Sequence, residues 1–158
     1  MKMTQIITKL QSELDAATSP LLADARIYAY DFPTTTPDEK STAWELRLIP
    51  LPTTETSEYE GATGWYVPFN VHIEARRPCG TNSMNDLAAA CTMAEEILQV
   101  IADNRAMTIS GETEAAVMAG EAYSAMKWDY GSMAQGEVSF AVVNLTACWT
   151  GPQIAPSS

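Results

Sequence analysis

His72 is the single histidine of the chain and the first residue able to do acid–base work near neutral pH. A catalytic imidazole needs a nucleophile or a metal within reach, and Asn70 and Glu74, which share its strand face, supply neither. It reads as a surface or interface residue. Ser124-Ala125-Met126-Lys127 has the Ser-x-x-Lys spacing of serine acyl-enzymes, but that chemistry needs both groups on one helical face, with Ser-Asp-Asn and Lys-Thr-Gly elements elsewhere. Here the tetrapeptide falls in an alternating strand pattern, where residues three apart point to opposite faces, and both companion elements are missing. Glu55, Glu58 and Glu60 lack the spacing of a calcium loop. Cys79, Cys91 and Cys148 with one histidine have no zinc spacing, and Gly131 to Gly136 carries no lysine for a phosphate loop. No catalytic, metal-binding or cofactor-binding residue is therefore expected, and no enzyme, although a site of carboxylates alone leaves no spacing signature.

The elements that must position these residues are easier to read. Trp65, Val67, Phe69, Val71, Ile73 and Ala75 alternate with polar residues through Arg76, which predicts a long strand with one buried face. Arg77-Pro78-Cys79-Gly80 breaks it, since proline biases its predecessor away from the helical region. Ser83 and Asp86 then open a helix over 83–103 by serving its free amides, and the helix is expected to bury Leu87, Cys91, Ala94, Leu98 and Ile101, with Ile97 alongside. Ile6, Ile7, Leu10, Leu14 and Ala17 predict an earlier helix over 4–17, stopped by Thr18-Ser19-Pro20.

Short strands are predicted at 26–30 and 44–49, with a polar loop over 31–42. The segment 50–64 is acidic and holds no basic residue, which marks a loop or hairpin arm whose flanking strands pair across it. Residues 107–110 suggest a further short strand, 111–120 has no clear class, 122–130 is a strand and 131–136 a hairpin loop. The strand from Glu137 to Trp149 changes phase: Val138, Phe140 and Val142 keep one parity, and Val143, Leu145, Ala147 and Trp149 the other. That demands a bulge near Val142-Val143 or a change of partner layer. Residues 151–158, with two prolines, read as a loose tail after an ordered core over 1–150. The fold class is α+β, a mixed and mainly antiparallel sheet covered by two amphipathic helices, in one domain over 1–158.

With 9 basic and 20 acidic residues the formal charge is −11, which argues against a protein that grips nucleic-acid phosphates. The basic residues cluster only at Arg76-Arg77. Three distant cysteines allow one disulfide by count, but read better as free thiols of a reducing compartment. Residues 1–10 lack the apolar stretch of a signal peptide, no apolar run is long enough to span a membrane, and Asn144-Leu145-Thr146 lies mid-strand, where it is no glycosylation site.

The order of helix, strands, acidic arm, long strand, helix and closing hairpin resembles the tail-terminator proteins of long-tailed bacteriophages. The residues that carry the likeness are Ile6, Leu10 and Leu14; the passage from Phe69 to Pro78; and the strand from Glu137 to Trp149. The resemblance implies a virion protein assembled in the host cytoplasm, a ring of six copies, the tail tube and head–tail connector as partners, and DNA passing through the ring without specific binding. It implies no cofactor, no membrane and no catalysis. Acidity suits such a channel, because carboxylates facing a lumen repel phosphates. Rings need complementary patches, and Glu55, Glu58, Glu60, Arg76 and Arg77 are the expected subunit-interface residues. Another neck or tail-tube subunit is the alternative within the class, and a small acidic binding or inhibitor module the alternative outside it.

Overall fold

A computed structural model describes residues 1–34, 42–51, 57–58, 65–80, 83–118 and 126–154. The chain is α+β, as the patterning indicates. Helix α1 (Met3–Asp15) and the one-turn α2 (Pro20–Ala23) precede strands β1 (Arg26–Ala29), β2 (Glu45–Leu51), β3 (Ser57–Glu58) and β4 (Trp65–Pro78). Helix α3 (Ser83–Asp103) follows, then β5 (Ala106–Met107), β6 (Ala116–Met118), β7 (Met126–Gln135) and β8 (Val138–Ile154). The strands form one sheet in the order β1-β2-β4-β8-β6-β5, with β3 beside β4, and β7 beside β8. Only β1 and β2 pair in parallel; β2 and β4 pair antiparallel across the acidic segment, as expected.

Both long helices cover one face of this sheet. α1 lies over β1, β2 and β4, and α3 lies over β7 and β8. α3 thus packs on the same sheet as α1, beyond β4, and the two helices share one core. That core joins Ile6, Ile7, Leu10 and Leu14 of α1 to Val67, Phe69, Val71, Ile73 and Ala75 of β4 and to Val143, Leu145, Ala147 and Trp149 of β8. The indole of Trp149 donates to the Asn104 carbonyl at 2.9 Å and ties the end of α3 to the sheet.

α3 is rotated from the expected face. It buries Ala90, Met93, Ala94, Ile97 and Ile101, while Leu87 is exposed and Cys91 and Leu98 are only partly covered. Apolar residues lie on nearly every side of this helix, so periodicity alone leaves the phase open. Asp86 sets it: it continues the 90–93–97 stripe towards the N-terminus, is buried, and accepts from the Gly80 amide with both oxygens at 3.1 Å. It thereby holds the β4–α3 passage from the first turn of the helix. Pro20, expected as a stop, also opens α2, where the missing amide costs nothing. Glu96 of α3 accepts from the amides of Leu21 and Leu22 there.

The end of the chain differs most from expectation. β7 runs through Gly131 to Gln135, and the turn is only Gly136-Glu137, with φ 66° at Gly136. Residues 122–125 lie outside the described residues. β8 pairs with β4 and β7 without interruption at Val142-Val143, so no bulge is present there; the register shift falls at Trp65/Tyr66 instead. The phase change means that both faces of β8 are covered, with Phe140 and Val142 buried on the face away from the helices. Residues 151–154 belong to β8 and pair with β4 rather than forming a tail. Gly151 permits this, since a Cβ there would come 2.6 Å from the Met1 sulfur.

Candidate functional site on the helix-free face

Strand alternation puts Glu45 and Arg47 of β2 on the helix-free face, directly opposite Arg76 and Glu74 of β4. Opposite charges at facing positions are the stabilising arrangement of a sheet. The Arg47 guanidinium donates to Glu74 Oε2 at 2.7 Å and to Asp31 Oδ1 at 2.7 Å. Arg76 lies 3.6 Å from Glu45 and donates to Gln135 Oε1 at 3.1 Å. Its guanidinium is 3.9 Å from the centre of the Phe32 ring and 4.9 Å from that of Phe140, a cation between two aromatic faces. All of these residues except Glu45 line a cleft of about 450 Å³.

The electrostatics follow from the geometry. The hydrogen bond from Arg47, helped by the Phe32 amide, holds the Asp31 carboxyl below its ordinary range. Burial works against the charged form of Arg47, but the bonds to Glu74 and Asp31 outweigh it and raise its pKa. Three carboxylates thus surround two guanidinium groups, so both cations are countered and one negative charge is in excess. Among the described residues the cleft holds no nucleophile beside a base. It is suited to binding the loop at Phe32 onto the sheet and leaves no cation to spare for an anionic ligand.

Arg76 and Arg77 are neighbours in sequence and face opposite sides of the sheet. Arg77 turns to the helix side, where it donates to Asp86 at 3.2 Å and lies 5.5 Å from the Trp44 ring. Both are committed inside the subunit, so the structure does not bring them together as an interface patch. Glu55 and Glu60 lie outside the described residues; Glu58 is in β3, opposite Trp65. His72 lies on the Glu74 and Arg76 face, with Nδ1 3.4 Å from the Thr146 hydroxyl. Ser124 lies outside the described residues, and Lys127 is exposed on β7. Cys79, Cys91 and Cys148 are free thiols; burial raises the pKa of Cys79, with Asp86 adding to it, and burial raises that of Cys148. Among the described residues no three His, Cys, Asp or Glu side chains are placed to hold a metal ion.

The residues missed by sequence reasoning are Asp31, Phe32, Glu45 and Gln135. Glu45 had a signal: once β2 and β4 are paired, Glu45/Arg76 and Arg47/Glu74 become facing pairs. Phe32, in an irregular segment, had none.

No family model matches this chain, and no curated protein matches it. A solved structure of a protein without a functional name is similar over 99% of both chains, at 16% identity and a TM-score of 0.45. A likeness at that level carries no argument.

Proposed function

We propose that the chain is a structural virion protein that forms a ring at the head-proximal end of a phage tail, bound to the last ring of the tail tube and to the head connector. The observation that carries this reading is the layout on which the resemblance rests. The N-terminal helix, the strand-to-helix passage from β4 to α3 and the long closing strand β8 occur in that order and share one core. The acidic segment leaves and rejoins the sheet at adjacent antiparallel strands, with Leu51 opposite Asn70, a position from which an arm reaches a neighbouring subunit. The charge of −11 favours unhindered passage of DNA through such a ring.

Light scattering on the purified protein, alone and mixed with tail tubes, tests the reading. A ring in solution, or one that closes only on a tube, is the expected result. A protein that forms no ring and binds no tube overturns it.

A further inference from the structure

Four of the large apolar side chains left exposed lie on one edge of the molecule: Met84 and Leu87 on α3, and Trp128 and Tyr130 on β7. Trp128 is 48% and Tyr130 44% exposed, and their rings stack at 5.7 Å. They pair with Leu145 and Val143, so they share the helix side of the sheet. α3 packs on β7, and the Tyr130 hydroxyl interacts with Cys91, on the α3 flank that also carries Met84 and Leu87, which joins helix and strand into one patch. Clustered exposure of this kind marks contact surfaces.

The patch borders an open sheet edge. β7 is paired with β8 over its whole length and has no strand on its other side among the described residues. The opposite end of the sheet is closed off differently: β1 has four residues, and Gln11 of α1 donates to its Ile27 carbonyl at 3.0 Å. The two-residue turn makes Gln135 and Val138 a hydrogen-bonded pair, and alternation along the ladder then directs the backbone groups of Trp128 and Tyr130 to the open edge.

We propose that this edge is a two-fold contact between copies of the chain, with β7 pairing antiparallel to the partner's β7 about Trp128. Charge order selects a second copy as the occupant. Lys127 and Asp129 flank Trp128 on the helix-free side, both exposed and without an ion-pair partner among the described residues. In the two-fold pairing each Lys127 faces the partner's Asp129, so a strand with one charge of each sign about its centre complements itself. On the other side Trp128 meets the partner's Trp128, and the flank of α3 closes over the seam. The contact is independent of the proposed ring, whose head-to-tail symmetry needs other surfaces.

Light scattering across a range of concentrations, on the full chain, tests it. The native protein should reach twice the monomer mass, or build larger assemblies through this contact. Lys127→Asp places acid against acid at both pairs and should weaken dimerisation at least about tenfold. The double exchange Lys127→Asp with Asp129→Lys should restore it, which only a self-pairing strand predicts. Hydrogen exchange on the native chain is a second readout that needs no variant. The amides of Trp128 and Tyr130 should gain protection with concentration, while those of Lys127 and Asp129, already bonded to β8, should not change. A native protein that stays monomeric, an assembly indifferent to Lys127→Asp, a double exchange that fails to rescue, or flat exchange at Trp128 would each overturn the proposal. Loss of tube binding alone would bear on the ring and leave this contact standing.

Discussion

Phe69 lies on β4 at 1% exposure, opposite Trp149 of β8 in the ladder. Replacing it by alanine removes a buried ring and leaves a cavity that close-packed neighbours fill only in part. Phe69→Ala should therefore cost about 3–5 kcal/mol in reversible urea denaturation, and a loss below about 1 kcal/mol would mean that the face is not buried. Arg47 is a different kind of residue, since it holds the nearly buried Glu74 and the exposed Asp31 at once. Arg47→Ala should cost about 3 kcal/mol, because it strands the Glu74 carboxylate without a partner. Reversing Arg76 or Arg77 should likewise destabilise the subunit, so those variants report on the sheet and not on an interface. The pH dependence has a definite sign. The Asp31 and Glu13 pKa values are lowered by Arg47 and Lys9 respectively, so their contributions are fully present above the unfolded values of 3.8 and 4.5. Those contributions fade as pH falls through the lower folded values. Asp31→Asn should flatten the acid limb of the urea midpoint plotted against pH; an unchanged limb would mean that the bond to Arg47 does not persist in solution.

At the scale of elements, the segment between Leu51 and Trp65 is the test of assembly. Replacing residues 53–62 by a short Gly-Ser link removes the two-residue β3 and its pairing with Trp65 and Tyr66 but should leave the core fold intact, because β2 and β4 are already held by their own ladder and shortening a loop changes closure entropy little. Thermal melting should change little while tube binding falls; normal docking by the shortened protein would make the segment passive. Much of this architecture was legible. The alternation from Val67 to Ala75 named the buried face of β4, and the spacing of Ile6, Leu10 and Leu14 named that of α1, because each pattern had a single phase compatible with burial. α3 was legible in extent but not in rotation, since its apolar residues surround it and a buried carboxylate decided the phase. β7 and the end of β8 were misread for one reason: Gly131, Gly151 and Pro152 look like turn residues, yet each occupies a ladder position where local preference yields to pairing. The cleft was half legible, through its facing charges, and half hidden in the loop that brings Phe32 over Arg76.

For the whole molecule the governing quantity is charge. Each copy carries about eleven negative charges, so neighbours in a ring repel unless contact surfaces offset them. With Arg47, Arg76 and Arg77 committed inside the subunit and Lys9 paired with Glu13 along α1, the exposed basic side chains left among the described residues are Lys2, Arg26, Arg105 and Lys127. Lys127 belongs to the β7 edge. Arg26 opens β1 at the far end of the sheet, and a head-to-tail ring needs one such patch to meet a different, acidic surface on the next copy. The repulsion is long-ranged and screened over ~8 Å at physiological ionic strength, whereas a seated ion pair loses less to salt. Moderate salt should therefore favour ring closure on tail tubes, and Arg26→Glu should oppose it at every salt concentration while leaving the melting temperature nearly unchanged. Sedimentation with tubes, read by light scattering, separates the two effects. Binding that falls steadily with salt from the lowest concentration would show that attraction between unlike surfaces, and not self-repulsion, dominates the assembly.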